Sequence, residues 1–217
     1  MKILRPEDKV CEIIEYEKKR PRIISVVGAG GKTTLIYRLA EELKRKGLRV
    51  LITTTKMYVP KRRFISWESG IGEEGDKGKQ ESAKQMEEKI RVKLHEEGIV
   101  VVGRILNGEE KFTGISEKVR SILPNLCDVL LVEADGSRQK PVKVPAEHEP
   151  VLFPASDLVI GVLGMNSVGQ RILKAAHRPE DVAAFLNTRL GLAIRATGNN
   201  PDMVRSSSIN PVFTTTV

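Results

Sequence analysis

Residues 28–34 read Gly28-Ala29-Gly30-Gly31-Lys32-Thr33-Thr34, a string suited to holding a polyphosphate. Glycines let successive backbone N–H groups converge on an anion with no Cβ in the way. A helix that begins at the end of such a turn adds its partial positive charge. Lys32 then reaches the β- and γ-phosphates, and the Thr33 hydroxyl is placed to ligate Mg²⁺. The usual pattern G-x-x-x-x-G-K-[ST] would open on Val26, so its first glycine is missing and Gly28 must supply the early turn.

A phosphate loop needs a carboxylate near its metal, at the end of a neighbouring apolar strand. Val129-Leu-Leu-Val-Glu133-Ala-Asp135-Gly136 supplies two. Lying two residues apart, Glu133 and Asp135 share one side if the chain stays extended. One would hold the metal's water shell and the other a water or nucleophile; spacing does not say which. The catalytic set is therefore Lys32, Glu133 and Asp135, with Thr33 and Asp135 as candidate metal ligands.

Further candidates follow two strands. Thr53-Thr-Thr55-Lys56 stands where open α/β sheets bind ligands, beyond a strand's carboxyl end. Gly136-Ser-Arg138-Gln-Lys140-Pro-Val-Lys143 and the following Ala146-Glu-His148-Glu-Pro150 put charges on a proline-stiffened loop. Thr55, Lys56, Arg138, Lys143 and His148 are accordingly read as substrate or switch residues. His177-Arg178-Pro-Glu180 suits a surface turn and helix cap as well as a functional role.

The elements that must position these groups are legible from periodicity. Arg22–Val27, Leu48–Thr53, Ile99–Gly103, Asp128–Glu133 and Leu158–Leu163 are apolar, β-branched runs and read as buried strands. Thr33–Lys46 carries Leu35, Ile36, Leu39, Ala40 and Leu43 at helical spacing. Helices are also expected over 7–19, 81–97, 116–123 (with Ser116 as N-cap) and 178–190. The polar, glycine-rich segment 55–80 reads as a mobile loop and 196–217 as an irregular tail, truncated or altered. Strands alternating with helices give a single α/β domain over 1–195: a three-layer P-loop NTPase-like fold with a mostly parallel central sheet.

Bulk properties narrow the class. The 217 residues carry a net charge of +8, concentrated before residue 66. Such a balance suits polyanions. Aromatics are only 4% of residues, too few for a base-stacking surface, so nucleic acid is not the expected partner. Cys11 and Cys127 have no spacing that suggests a zinc site and read as reduced thiols. No run approaches the roughly 20 apolar residues of a membrane span, and no leader is visible, so a cytoplasmic protein is expected. The oligomeric state is not written in the sequence.

Several blocks together resemble one family. They are Val27–Thr34, Thr53-Thr-Thr-Lys-Met57 with Pro60, Lys111-Phe-Thr-Gly-Ile115, Val132-Glu-Ala-Asp-Gly-Ser137, Lys143-Val-Pro-Ala-Glu-His-Glu-Pro150 and His177-Arg-Pro-Glu180. Their order and spacing are similar to those of the YqeC-like accessory proteins of selenium-dependent hydroxylases, over roughly residues 20–185. The resemblance implies a nucleoside-triphosphate-binding protein, using ATP or GTP with Mg²⁺, that acts as a nucleotide-switched factor in maturation of selenium-dependent molybdenum hydroxylases. A hydroxylase or its cofactor would be the partner. The alternative is a phosphoryl- or nucleotidyl-transferase acting on a small cofactor precursor. Residues 195–217 depart from the family's usual late strand with its base-reading element, which leaves base selectivity open.

Overall fold

The computed structural model describes residues 10–11, 22–54, 56–58, 64–66, 83–105, 111–113, 117–146, 149–153, 155–189 and 191–192. Most of the expected helix 7–19, the tail 196–217, Ser116, Thr55 and His148 lie outside the described residues.

The chain is an α/β structure around a mostly parallel sheet. Its strands are β1 (Ile23–Gly28), β2 (Val50–Thr54), β3 (Lys56–Tyr58), β4 (Phe64–Ser66), β5 (Ile99–Ile105), β6 (Lys111–Thr113), β7 (Val129–Glu133) and β9 (Leu158–Val162). β4, β5, β2, β7, β1 and β9 lie side by side in that order, all parallel. β3 and β6 form an antiparallel pair that extends the far end of β5. Two two-residue strands, β8 (Val142–Lys143) and β10 (Ala176–His177), pair in parallel beside the main sheet. The helices are α1 (Lys32–Arg45), α2 (Ala83–Glu97), α3 (Glu117–Ile122), α4 (Ile172–Ala175) and α5 (Pro179–Leu186).

Alternation along the strands divides the core in two. Ile24, Val26, Val50, Ile52, Val129 and Leu131 pack with Ile36, Leu39, Ala40 and Leu43 of α1. Ile23, Leu51, Val100, Val102, Leu130 and Val132 pack with Met86, Ile90 and Leu94 of α2 and Val119 of α3. Both faces are covered, which is why the inner strands are continuous apolar runs. Each fully buried Leu or Ile contributes roughly 1.5–3 kcal/mol. Val10 and Cys11 are helical and join the α1 side, tied down where the Cys11 N–H donates to Glu42 Oε2 at 2.9 Å. At the opposite end of the sheet from the glycine turn, Asp157 accepts from the N–H groups of Arg22 and Ile23, both at 2.8 Å, and so starts β1 beside β9.

α1 ends as its sequence directs. Gly47 takes φ 81°, its N–H reaches Lys44 O at 2.9 Å, and the Leu48 N–H reaches Leu43 O at 3.2 Å. That wrap satisfies the last carbonyls of the helix and feeds the chain into β2.

β1 and β2, successive in the chain, are not neighbours in the sheet: β7 lies between them and pairs with both. An expectation from the sequence is corrected. The segment 55–80, expected to be one irregular loop, contains β3 and β4. Three-residue strands are too short to show a two-residue period, so their pairing with distant partners is invisible in sequence. Among the described residues no helix is long and apolar enough to cross a membrane.

Candidate functional site

Insertion of β7 between β1 and β2 brings the acids to the glycine turn. Glu133 stands in register with Val26 of β1 on one side and Thr54 of β2 on the other. The chain leaving β1 and the chain leaving β7 therefore emerge side by side, one carrying Gly28–Thr34 and the other Glu133–Gly136.

The turn is built by close backbone approach. Gly28 has φ 96°, and a Cβ there would lie 2.3 Å from Val162 O. The next N–H, of Ala29, donates to that same Val162 O at 2.8 Å. At Gly30, φ 71°, a Cβ would meet Gly164 Cα at 2.5 Å and Pro141 Cα at 2.9 Å. The end of β9 and the loop after β7 thus clamp the turn from outside. Gly30 and Gly31 themselves are exposed.

α1 starts at Lys32 with Gly31 as N-cap, no side-chain capping bond and no acid in its first turn. Its first helical hydrogen bond runs from the Leu35 N–H to Gly31 O, 2.9 Å. The N–H groups of Lys32, Thr33 and Thr34 precede that bond and have no intrahelical acceptor. They and the helix dipole form a cradle for an anion.

Around the cradle the side chains pair specifically. Thr33 Oγ1 donates to Glu133 Oε2 at 2.9 Å, so the hydroxyl read as a metal ligand meets Glu133 rather than Asp135. Lys32, 4% exposed, donates from Nζ to Gly28 O at 2.6 Å and lies 3.2 Å from Asp135 Oδ1. The Gly28 N–H donates to Asp135 Oδ2 at 3.1 Å. The 3.2 Å approach of Lys32 is not aligned as a hydrogen bond, and Asp135 Oδ1 is left buried with no hydrogen-bond partner. Burial pushes the Glu133 carboxyl above its ordinary pKa, against the pull of Lys32 and the Thr33 hydrogen bond; the Asp135 charge adds to the rise.

Behind Asp135 lies a second lysine. Lys143 has a fully buried side chain, and its Nζ reaches Asp135 Oδ2 at 3.2 Å, Glu149 Oε2 at 2.8 Å and Gly136 O at 2.7 Å. Three acceptors for three N–H groups make burial of that ammonium tolerable. Glu149 also takes Arg178 Nη2, and Arg178 Nε lies 3.3 Å from Asp181 Oδ2. Burial pushes the Glu149 carboxyl up. Hydrogen bonds from Lys143 and Arg178, with their charges, outweigh that and hold it down to about 2. Alternating charges thus run from Lys32 at the turn to Arg178 and Asp181 at the head of α5.

Sequence reading did not single out Glu149 or Arg178 as site residues. The one signal was their place within the Ala146–Pro150 and His177–Glu180 blocks. Arg138 is exposed on the loop after β7 and outside the Asp135–Lys143 contact. Lys56 opens β3. Thr53 and Thr54 are buried and bond to backbone carbonyls, of Val102 at 3.0 Å and Glu133 at 3.3 Å, so they tie strands together. Cys11 and Cys127 are buried free thiols, and burial pushes the Cys127 pKa up to about 12.

The donor set suits a hard cation. Among the described residues no three His, Cys, Asp or Glu side chains gather as a metal cage. A threonine hydroxyl, one adjoining carboxylate and the unbonded Oδ1 of Asp135 are instead the oxygen donors an ion such as Mg²⁺ accepts while keeping several of its waters.

The profile of the YqeC protein family matches residues 24–180. The chain belongs to that family. The match begins inside β1 and ends in the first turn of α5, so it takes in each of Gly28–Thr34, Glu133, Asp135, Lys143, Glu149 and Arg178. A relative in the YqeC family, the "Uncharacterized protein YqeC" of Escherichia coli (strain K12), is 37% identical over 158 residues. That match covers 71% of this chain and 56% of the relative, so the chain spans little more than half of the relative's length. No solved structure matches the chain significantly.

Proposed function

We propose that the protein binds a nucleoside triphosphate, ATP or GTP, with Mg²⁺ at the Gly28–Thr34 turn, within a P-loop NTPase-like fold. The observation that carries this is the uncapped start of α1: exposed Gly30 and Gly31 lead into free N–H groups, with the Lys32 ammonium at their mouth. A triphosphate laid in the turn accepts from those N–H groups and competes with Gly28 O and Asp135 for Lys32. Thr33, Glu133 and Asp135 would hold the metal through their oxygens, directly or through its waters. Bound there, Mg²⁺ supplies neutralisation of the charge that develops on the β- and γ-phosphate oxygens. The chain's own part is to position the phosphates on the N–H cradle and to orient a water with a buried carboxylate.

A switch role draws on the charge chain. When phosphate draws Lys32 away, Asp135 keeps Lys143 as its sole cation, and the change reaches Glu149 and Arg178 at α5. The family resemblance adds the biological reading, an accessory factor in maturation of selenium-dependent molybdenum hydroxylases with a hydroxylase or its cofactor as partner. Turnover of ATP and GTP, each with Mg²⁺ and with and without such a hydroxylase, tests it. Slow hydrolysis that the partner stimulates supports the switch; fast turnover indifferent to the partner counts against it.

The second reading, phosphoryl or nucleotidyl transfer to a small cofactor precursor, draws on one contact. The basic loop Arg138–Lys143 is pressed against the turn where Pro141 meets Gly30. Product identification separates the two: a modified small molecule means transfer, whereas nucleoside diphosphate and phosphate alone mean the switch.

A further inference from the structure

β9 closes the parallel sheet on one side and, among the described residues, pairs with β1 alone. Val162 O is turned toward β1, where it accepts from the Ala29 N–H at 2.8 Å. Peptide groups alternate in direction along a strand, so the N–H and C=O groups of Val159 and Gly161 point away from β1, along the open edge. Proteins blunt such an edge with a charge, a proline, a bulge or a covering element. β9 has none of these. Its register with β1 runs unbroken from Leu158 to Val162, and no charged residue or proline stands between Asp157 and Arg171. Val159 is 45% exposed, and Gly161, on the same face, is exposed as well.

Gly161 has no reason within the chain to be glycine. Its φ is not positive, and a Cβ built there would meet nothing within 4 Å. Glycine weakens a strand interior, and where it stands in one it often marks the close approach of another backbone. The opposite face of β9 carries Leu158, Ile160 and Val162, half-buried against the α1 side of the core.

We propose that β9 pairs antiparallel with β9 of a second copy of this chain, about a twofold axis at Ile160. Around that axis the strand is its own complement. Val159 of each copy lies opposite Gly161 of the other, the exposed side chain over the position that lacks one, and their outward peptide groups exchange both hydrogen bonds. Ile160 lies opposite its own counterpart and Leu158 opposite Val162, so the α1 side of the core continues across the axis. An unrelated peptide would have to supply this match; a second copy already carries it. The uncharged edge meets itself with no like charges opposed. Because the paired strands run in opposite directions, the two glycine turns stand at opposite ends of the pair, each still held by its own Val162 O. The pairing rests on the edge of the sheet and not on the nucleotide reading.

Sedimentation equilibrium of the full chain tests it. The parent should be dimeric at about 100 µM and dissociate on dilution. Val159→Lys charges the edge, and Gly161→Val fills the bare position. Both sites are exposed, so each variant should keep the melting temperature of the dilute protein. Each should raise the dimer dissociation constant about a hundredfold, since symmetry repeats the change. Disulfide formation with oxidised glutathione reads the register. Ile160 and its counterpart stand about 4.5 Å apart between Cα atoms, within disulfide range, so Ile160→Cys should link two chains. Val159 is more exposed, but its counterpart lies about 7–8 Å away on the diagonal, so Val159→Cys should not. A parent that is monomeric at about 100 µM overturns the proposal, whatever else covers the edge. So does a dimer indifferent to either Val159→Lys or Gly161→Val, or the absence of a link through Ile160→Cys.

Discussion

The hydroxyl of Thr33 donates to the carboxylate of Glu133 across 2.9 Å, joining the first turn of α1 to the last residue of β7. Two elements that are remote in sequence meet here at a bond between two side-chain oxygens. The contact exists because β7 is slotted between β1 and β2. Burial of Glu133 disfavours its charged form, whereas the proposed metal ion would require it.

Glu133→Gln separates these two effects. The amide can still accept from Thr33, and it removes the cost of a buried charge. With its folded pKa raised above 4.5, Glu133 loses stability as pH rises through and beyond 4.5. The variant, without metal, should therefore melt about 2–4 °C higher at neutral pH, and the gain should shrink as pH falls toward 4.5. Mg²⁺-dependent turnover should fall about tenfold or more. A thermal scan against pH and a turnover assay check the two halves. A variant that is less stable and fully active contradicts both.

Gly30 and Gly31 should respond differently to alanine. At Gly30 the new methyl meets the backbone of Gly164 and Pro141, neither of which is a flexible side-chain end. Gly30→Ala should cost roughly 2–4 kcal/mol, combining overpacking with left-handed strain. At Gly31, φ 122°, nothing lies within 4 Å, so Gly31→Ala carries backbone strain alone and should cost less. Urea denaturation gives the order; equal losses would argue against the clamp.

Lys143→Met leaves Asp135 and Glu149 facing each other's surroundings without their shared cation. Breaking a buried pair in this way costs roughly 3–5 kcal/mol. Adding Glu149→Gln should recover part of the loss, because one stranded charge is then gone. The pH dependence follows from Glu149. Its carboxyl is held at about 2 against an ordinary 4.5, so its contribution is complete above 4.5 and is lost as pH falls toward 2. Denaturation of the parent at pH 6 and pH 3 should show that loss, and Lys143→Met should show a smaller one.

The parts legible in sequence were those whose chemistry is local. Gly28–Thr34 declares itself because converging N–H groups need adjacent glycines, and β1, β2, β5 and β7 declare themselves because both of their faces are covered; β9, expected to be buried, is an edge strand on which Val159 is exposed. Glu133 and Asp135 were legible as a pair, but the division of labour between them was not. It depends on which side chain the end of β7 turns toward Thr33, a matter of pairing with β1 and β2. Lys143 was read as a loop residue facing a substrate and is buried behind Asp135, because Gly136 O and Glu149, seven and six residues away, close around it. Arg178 is brought beside Lys143 by the two-residue pairing of β8 with β10, too short to leave a pattern, and Glu149 by the Val151 N–H bond to Ala134 O.

The central claim is the triphosphate cradle at the head of α1. Isothermal calorimetry of ATP and of GTP with Mg²⁺, on the parent protein and on Lys32→Ala, tests it most directly. At least one nucleotide should bind the parent, and Lys32→Ala should lose about 2 kcal/mol or more of binding free energy while remaining folded. Equal affinity in the two proteins, or no binding of either nucleotide to the parent, would contradict it.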